Sequence, residues 1–216
     1  MNRTRARILG AIAVLLIAGL FTGSGLCSDS AIGLIRETGD NLKGAKMSDN
    51  TTQSVKKKDL IVTRVFDAPV ELVWKAWTDP QHVMRWWGPN GFTAPVARID
   101  FREGGTSLVC MRAPKEFGGQ DMYNTWTYQK IVPMELIEFI LDWADKDGNR
   151  VDPAAMGLPP NMPRDVRHVV TFKAVGDKKT EMTVTEYGYT SDQMLEMSKA
   201  GLEQCLDKMA AIFAKS

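Results

Sequence analysis

Only two histidines, His82 and His168, occur in the 216 residues, so general acid–base chemistry near neutral pH has few places to sit. His168 lies in "VRHVVTFKA" (166–174), where Val166, His168, Val170 and Phe172 alternate with Arg167, Thr171 and Lys173. Glu186 lies in "TEMTVTEY" (180–187), on one face with Thr180, Met182 and Val184. A turn at "GDKK" (176–179) joins the two segments, and residues opposed across a hairpin share a face. Pairing Gly176 with Lys178 sets His168 opposite Glu186; a slip of two residues makes them diagonal neighbours. Either register yields a His–Glu pair on an apolar face. Such a pair serves as a mutually satisfied buried contact, as a polar anchor for a ligand, or as an acid–base couple.

The remaining reactive residue types carry weaker signals. His82 falls one position off an apolar helical stripe and reads as half-exposed. Asp100, Arg102 and Glu103 precede Gly104–Gly105, where glycines permit a turn and charges solvate it. Cys27, Cys110 and Cys205 are far apart, without metal-ligand spacing, and the last two read as buried free thiols. No nucleophile elbow, phosphate loop, dinucleotide fingerprint or zinc signature is present. No catalytic residue, metal or cofactor is therefore expected. Lys+Arg is 27 and Asp+Glu is 26, a balance that provides no field for nucleic acid. Twelve methionines, Met122, Met182 and Met209 among them, suit an adaptable core or a plastic ligand lining.

The elements that would hold these residues follow from periodicity. "DLIVTRVF" (59–66) reads as a strand. Val70, Val73, Trp74 and Trp77 then mark a helix face. Thr78 or Asp79 caps a second short helix that opens on Pro80, with Val83, Trp86 and Trp87 on its stripe. After "GPNG" (88–91), strands are expected at 92–101, 106–112, 121–131, 135–143, 166–174 and 180–187. Pro95 makes the first of these an edge or a bulge. Asn124 and Tyr128 share a face with Met122 and Trp126, and add hydrogen-bonding groups if that face is inward. A long helix spans roughly 191–214, with Thr190 and Gln193 fitting a capping box. The segment 144–165 carries Pro153, Pro159, Pro160 and Pro163 and is a candidate lid. Alternating strands with one apolar face need a cover, and the last helix is the only element long enough.

Residues 1–58 differ from the rest. Arg3, Arg5 and Arg7 precede the apolar run "ILGAIAVLLIAGLF" (8–21), so residues 1–27 read as a secretory signal or a short anchor. Any membrane contact would run through residues 8–26. Leu26 stands where a lipobox wants a small residue before Cys27. Residues 28–58 read as a polar linker that contains Met47, a second plausible start. Initiation there would leave a cytoplasmic domain.

The stretches "TRVFDAPVELVWKAWTDPQHVMRWWGP" (63–89) and "DFREGG" (100–105) carry a resemblance, supported by "IVPMELIEF" (131–139), "VVTF" (169–172) and "TEMTVTE" (180–186). The chain resembles the Bet v 1/START-like (SRPBCC) superfamily over residues 58–216. Within it, the chain is similar to the C-terminal domain of activators of Hsp90 ATPase, the AHSA1-like family. The resemblance implies an α+β helix-grip fold. In that fold a curved antiparallel sheet of six or seven strands wraps a long C-terminal helix, with two short helices after the first strand. It also implies an apolar or amphipathic small ligand between sheet and helix, bound without catalysis. The expected lining is Trp87, Trp126, Tyr128, Phe139, His168, Glu186, Leu202 and Met209. Two alternatives remain open: a protein-interaction module with a chaperone partner, and a cyclase- or hydratase-like enzyme using His168 and Glu186. The chain departs from the family in having Leu202 after Gly201, where Gly-Trp is common, and in its longer 144–165 loop.

Overall fold

The computed structural model describes residues 57–159 and 162–214. The readings made for residues 1–56, the signal, anchor, linker and Met47 start, lie outside the described residues. Among the described residues no helix is long and apolar enough to cross a membrane.

Strand β1 (Lys58–Phe66) leads into helices α1 (Val70–Thr78) and α2 (Pro80–Trp86). Asp79 separates the two helices. Its extended backbone ends α1, and its carboxylate accepts the Gln81 N–H at 2.8 Å while Pro80 needs no acceptor. Strands β2 (Thr93–Arg98), β3 (Thr106–Arg112), β4 (Asp121–Val132), β5 (Leu136–Ala144), β6 (Val166–Val175) and β7 (Lys179–Tyr189) follow, and helix α3 (Asp192–Phe213) closes the order. The strands form one curved antiparallel sheet of seven, ordered β1-β7-β6-β5-β4-β3-β2. This is the helix-grip architecture.

The edge strand β2 is shorter than 92–101, and its register shifts between Thr93 and Val96, around Pro95. Proline has no N–H for the ladder, so pairing is interrupted there. The N-cap of α3 is Ser191, whose hydroxyl accepts from Met194 N, and not Thr190 with Gln193. The reason is that β7 runs on to Tyr189, so the chain first leaves extended geometry one residue later.

Trp86 and Trp87, adjacent in sequence, have different surroundings. Trp86 is fully buried, donates its indole N–H to Ala76 O at 2.7 Å, and packs on Trp77 at 4.8 Å. Trp87 is the residue that ends α2; its ring stands edge-on to Trp86 at 82° and reaches Trp126 at 4.8 Å. From Trp126 the aromatic series continues to Phe139 at 5.2 Å, and Phe139 stacks flat on His168 at 4.8 Å and 16°. This run of rings ties α2 to the middle of the sheet. Helix α3 packs chiefly on β1, α2 and β7. The middle strands are left uncovered by the helix, and a cavity opens there.

Candidate functional site

The cavity has a volume of about 210 Å³. Its floor is the inner face of β4 to β7, with Asn124, Leu141, Val166, His168 and Glu186. One wall is α3, which contributes Ser198, Gly201, Leu202 and Cys205, the i, i+3, i+4, i+7 set of a helix face. The 144–165 segment adds Met156, Leu158, Met162 and Pro163, and the mouth is Trp87, Pro89 and Phe92. A Cβ placed on Gly201 would meet no atom within 4 Å, so the helix opens onto free space at that residue. Apolar groups dominate this lining.

A polar triad, His168, Glu186 and Tyr189, interrupts that lining. The β6–β7 register places His168 opposite Glu186, the first of the two alternatives read from the turn. His168 Nε2 lies 3.3 Å from Glu186 Oε1, and His168 Nδ1 lies 2.9 Å from Val166 O. The Tyr189 hydroxyl donates to Glu186 Oε2. Both imidazole nitrogens therefore face acceptors, so both donate when the ring is protonated against the carboxylate. Burial alone would raise the Glu186 carboxyl; the His168 charge and the hydrogen bonds from His168 and Tyr189 outweigh it and hold the group below the ordinary carboxylate range. Burial raises the Tyr189 phenol, and the Glu186 charge adds to that. Burial also pushes the Cys205 thiol up to about 12, which removes it as a nucleophile near neutral pH.

Three polar atoms beside the cavity have no hydrogen-bond partner among the described residues: Asn124 Oδ1, Trp87 Nε1 and Trp126 Nε1. Asn124 is 1 % exposed. Leaving such an acceptor unpaired costs about 1–3 kcal/mol.

The 144–165 segment is tied by ion pairs near both of its ends. Asp142 on β5 is bridged by Arg150 at 2.6 Å and faces Arg164 at 3.7 Å, and Arg150 also pairs with Asp165. Trp143 donates its indole N–H to Pro163 O at 3.1 Å, and Gln120 donates to Met156 O at 3.1 Å. The mouth loop is fixed to α3. Lys208 Nζ donates to Gly88 O at 2.8 Å and Phe92 O at 3.1 Å, while Gln204 accepts from Asn90 N at 2.9 Å.

Of the eight expected lining residues, Trp87, His168, Glu186 and Leu202 stand on the cavity wall. Trp126, Tyr128, Phe139 and Met209 do not; each is 0–1 % exposed within the packed core. Trp87 covers Trp126 and His168 covers Phe139, while Tyr128 turns toward Ser107, sharing a 3.0 Å hydrogen bond, and Phe101 at 5.0 Å. Inward alternation identified the right face but not the depth at which packing stops. Ser198, Gly201 and Cys205 also line the cavity, and their spacing from Leu202 marks the same helix face. The Asp100–Gly105 segment is a turn. Arg102 grips Asp100 through two 3.0 Å contacts, and a Cβ on Gly105 would sit 2.3 Å from Asp100 O, which only glycine avoids. Among the described residues, no group of three or more His, Cys, Asp or Glu side chains is arranged to hold a metal.

Solved structures of similar fold include the protein Ms6760 from Mycobacterium smegmatis, at 23% identity and TM-score 0.55, covering 71% of this chain and 89% of that one. An Arthrobacter aurescens protein aligns at 22% identity and TM-score 0.59, covering 76% and 90%. The AHSA1 protein from Silicibacter pomeroyi aligns at 21% identity and TM-score 0.58, covering 73% and 98%. At these identities the likeness speaks for the fold. No curated protein matches the chain. Residues 67–214, nearly the whole domain just described, match the family model "Activator of Hsp90 ATPase homolog 1-like protein", and the chain belongs to that family.

Proposed function

We propose that this domain binds a small, largely apolar molecule between the sheet and α3 and carries out no chemistry on it. The observation that carries the reading is the open, apolar space of about 210 Å³ facing Gly201. Apolar space of this kind takes up ligands because their burial removes hydrocarbon from water, at roughly 25 cal/mol per Å². The His168–Glu186–Tyr189 triad supports binding over catalysis. His168 directs both ring nitrogens at protein acceptors, Val166 O and Glu186 Oε1, which leaves neither aimed at a substrate. Native mass spectrometry of the protein isolated from its host tests the reading. A co-purifying molecule of low polarity is expected. Bare protein that also takes up no added naphthalene overturns it.

The family's description supports a second reading, a module that contacts an Hsp90-type chaperone. Capture of such a chaperone by the domain from a host lysate, unaffected by filling the cavity, would favour it over ligand binding. The start of the chain decides where the ligand is met. On this reading initiation at Met47 gives a cytoplasmic domain, and translation from Met1 gives one exported or anchored through residues 1–27. N-terminal sequencing of the native protein distinguishes the two.

A further inference from the structure

We infer that the ligand is uncharged and donates a hydrogen bond to Asn124. The inference rests on the cavity-binding reading above and narrows it to a chemical class. Its first support is Asn124 itself. This residue is 1 % exposed on the inner face of β4, forms part of the cavity wall, and its Oδ1 has no partner among the described residues. Its neighbours across the sheet, Val109 and Trp143, bring no donor to it, because the Trp143 indole N–H is spent on Pro163 O. A buried amide oxygen without a partner is costly in the empty protein, and a ligand donor removes that cost.

The second support is the charge balance of the wall. Its ionisable side chains are His168, Glu186, Tyr189 and Cys205. Both Glu186 oxygens are already engaged, Oε1 with His168 Nε2 and Oε2 with the Tyr189 hydroxyl, and both His168 nitrogens face protein acceptors. A ligand carboxylate or ammonium would therefore lose its hydration and find no counter-charge. A hydroxyl or N–H has no such penalty.

Shape and size limit the class further. Trp77, Trp87, Phe92 and Trp143 present ring surfaces, and Met111, Met122, Met156, Met162 and Met197 present polarizable thioethers that pack well on rings. The volume of about 210 Å³ lies between the ~150 Å³ of an apolar cavity that holds benzene and the ~300–1,000 Å³ typical of drug-sized pockets. One or two fused rings with a single donor fit these limits.

Four probes of equal ring size separate the contributions. They are 2-naphthol, which donates; 2-methoxynaphthalene, which only accepts; naphthalene, which does neither; and 2-naphthoate, which is charged. Isothermal titration of the full chain is expected to show 2-naphthol binding at least tenfold tighter than each of the other three. In Asn124→Leu, the advantage of 2-naphthol over naphthalene is expected to vanish while naphthalene still binds. Equal affinities for 2-naphthol and naphthalene, an advantage that survives Asn124→Leu, or tightest binding of 2-naphthoate overturns the inference and leaves the apolar cavity standing. Failure of all four to bind overturns the cavity reading and this inference with it. If Asn124→Leu does not fold, the ratio between 2-naphthol and 2-methoxynaphthalene in the unaltered chain decides alone.

Discussion

His168 Nε2 and Glu186 Oε1 face each other at 3.3 Å across a single rung of the β6–β7 hairpin, both inside the protein. The turn at 176–179 sets the rung, and strand alternation turns both side chains inward. Neither group is left for water to stabilise.

Replacing Glu186 by Gln removes the carboxylate that His168 Nε2 and the Tyr189 hydroxyl both face. We expect a loss of about 3 kcal/mol near neutral pH, a large part of the ~5–15 kcal/mol of a typical domain. The pH dependence carries a further signature. The Glu186 carboxyl titrates lower in the folded protein than in the unfolded chain. Its contribution is therefore fully present above the ordinary glutamate value, about 4.3, and fades as the pH falls through the lowered folded value. Urea denaturation from pH 7 to pH 3 should show the difference between parent and variant shrinking over that acid range. A difference that grows toward acid would contradict the pair.

The adjacent tryptophans should separate by role. Trp86→Ala removes a fully buried indole with a hydrogen bond to Ala76 and is expected to cost about 3–5 kcal/mol. Trp87→Ala gives up less buried area, with an expected cost of about 2 kcal/mol, but opens the cavity mouth. Thermal melts and naphthalene titration together check this. Trp87→Ala should bind at least fivefold more weakly while remaining folded.

The 144–165 segment should loosen when its ion pairs are cut. Asp142→Asn weakens the hold on Arg150 and Arg164. Arg150 keeps Asp165 and solvent, so global stability should fall by only about 1 kcal/mol. Amide exchange at Val151 and Leu158, which donate to Trp143 O and Pro153 O, should quicken severalfold, while Val170 exchange holds. Unchanged exchange there would show that these ion pairs do not restrain the segment.

The sequence made the frame legible because its signals were local. Alternation marked the strands, and the turn at 176–179 allowed two His168–Glu186 registers, of which the structure adopts the direct one. Proline at 95 marked the broken edge strand. The cavity was less legible because its depth depends on side chains that meet only in three dimensions. Trp126, Phe139 and Met209 point inward as expected, yet Trp87, His168 and the rest of the core cover them. Part of the α3 wall was legible as well, since Ser198, Gly201, Leu202 and Cys205 repeat at helical spacing.

Gly201→Leu tests the central claim most directly. The added side chain grows into space where a Cβ meets nothing within 4 Å. Leucine is also the better helix former, by about 0.8 kcal/mol, so the variant should fold with stability equal to or above the parent. Isothermal titration with naphthalene should then show binding to the parent and none, or at least tenfold weaker binding, to Gly201→Leu. Equal binding by the two proteins would contradict a ligand site between the sheet and α3.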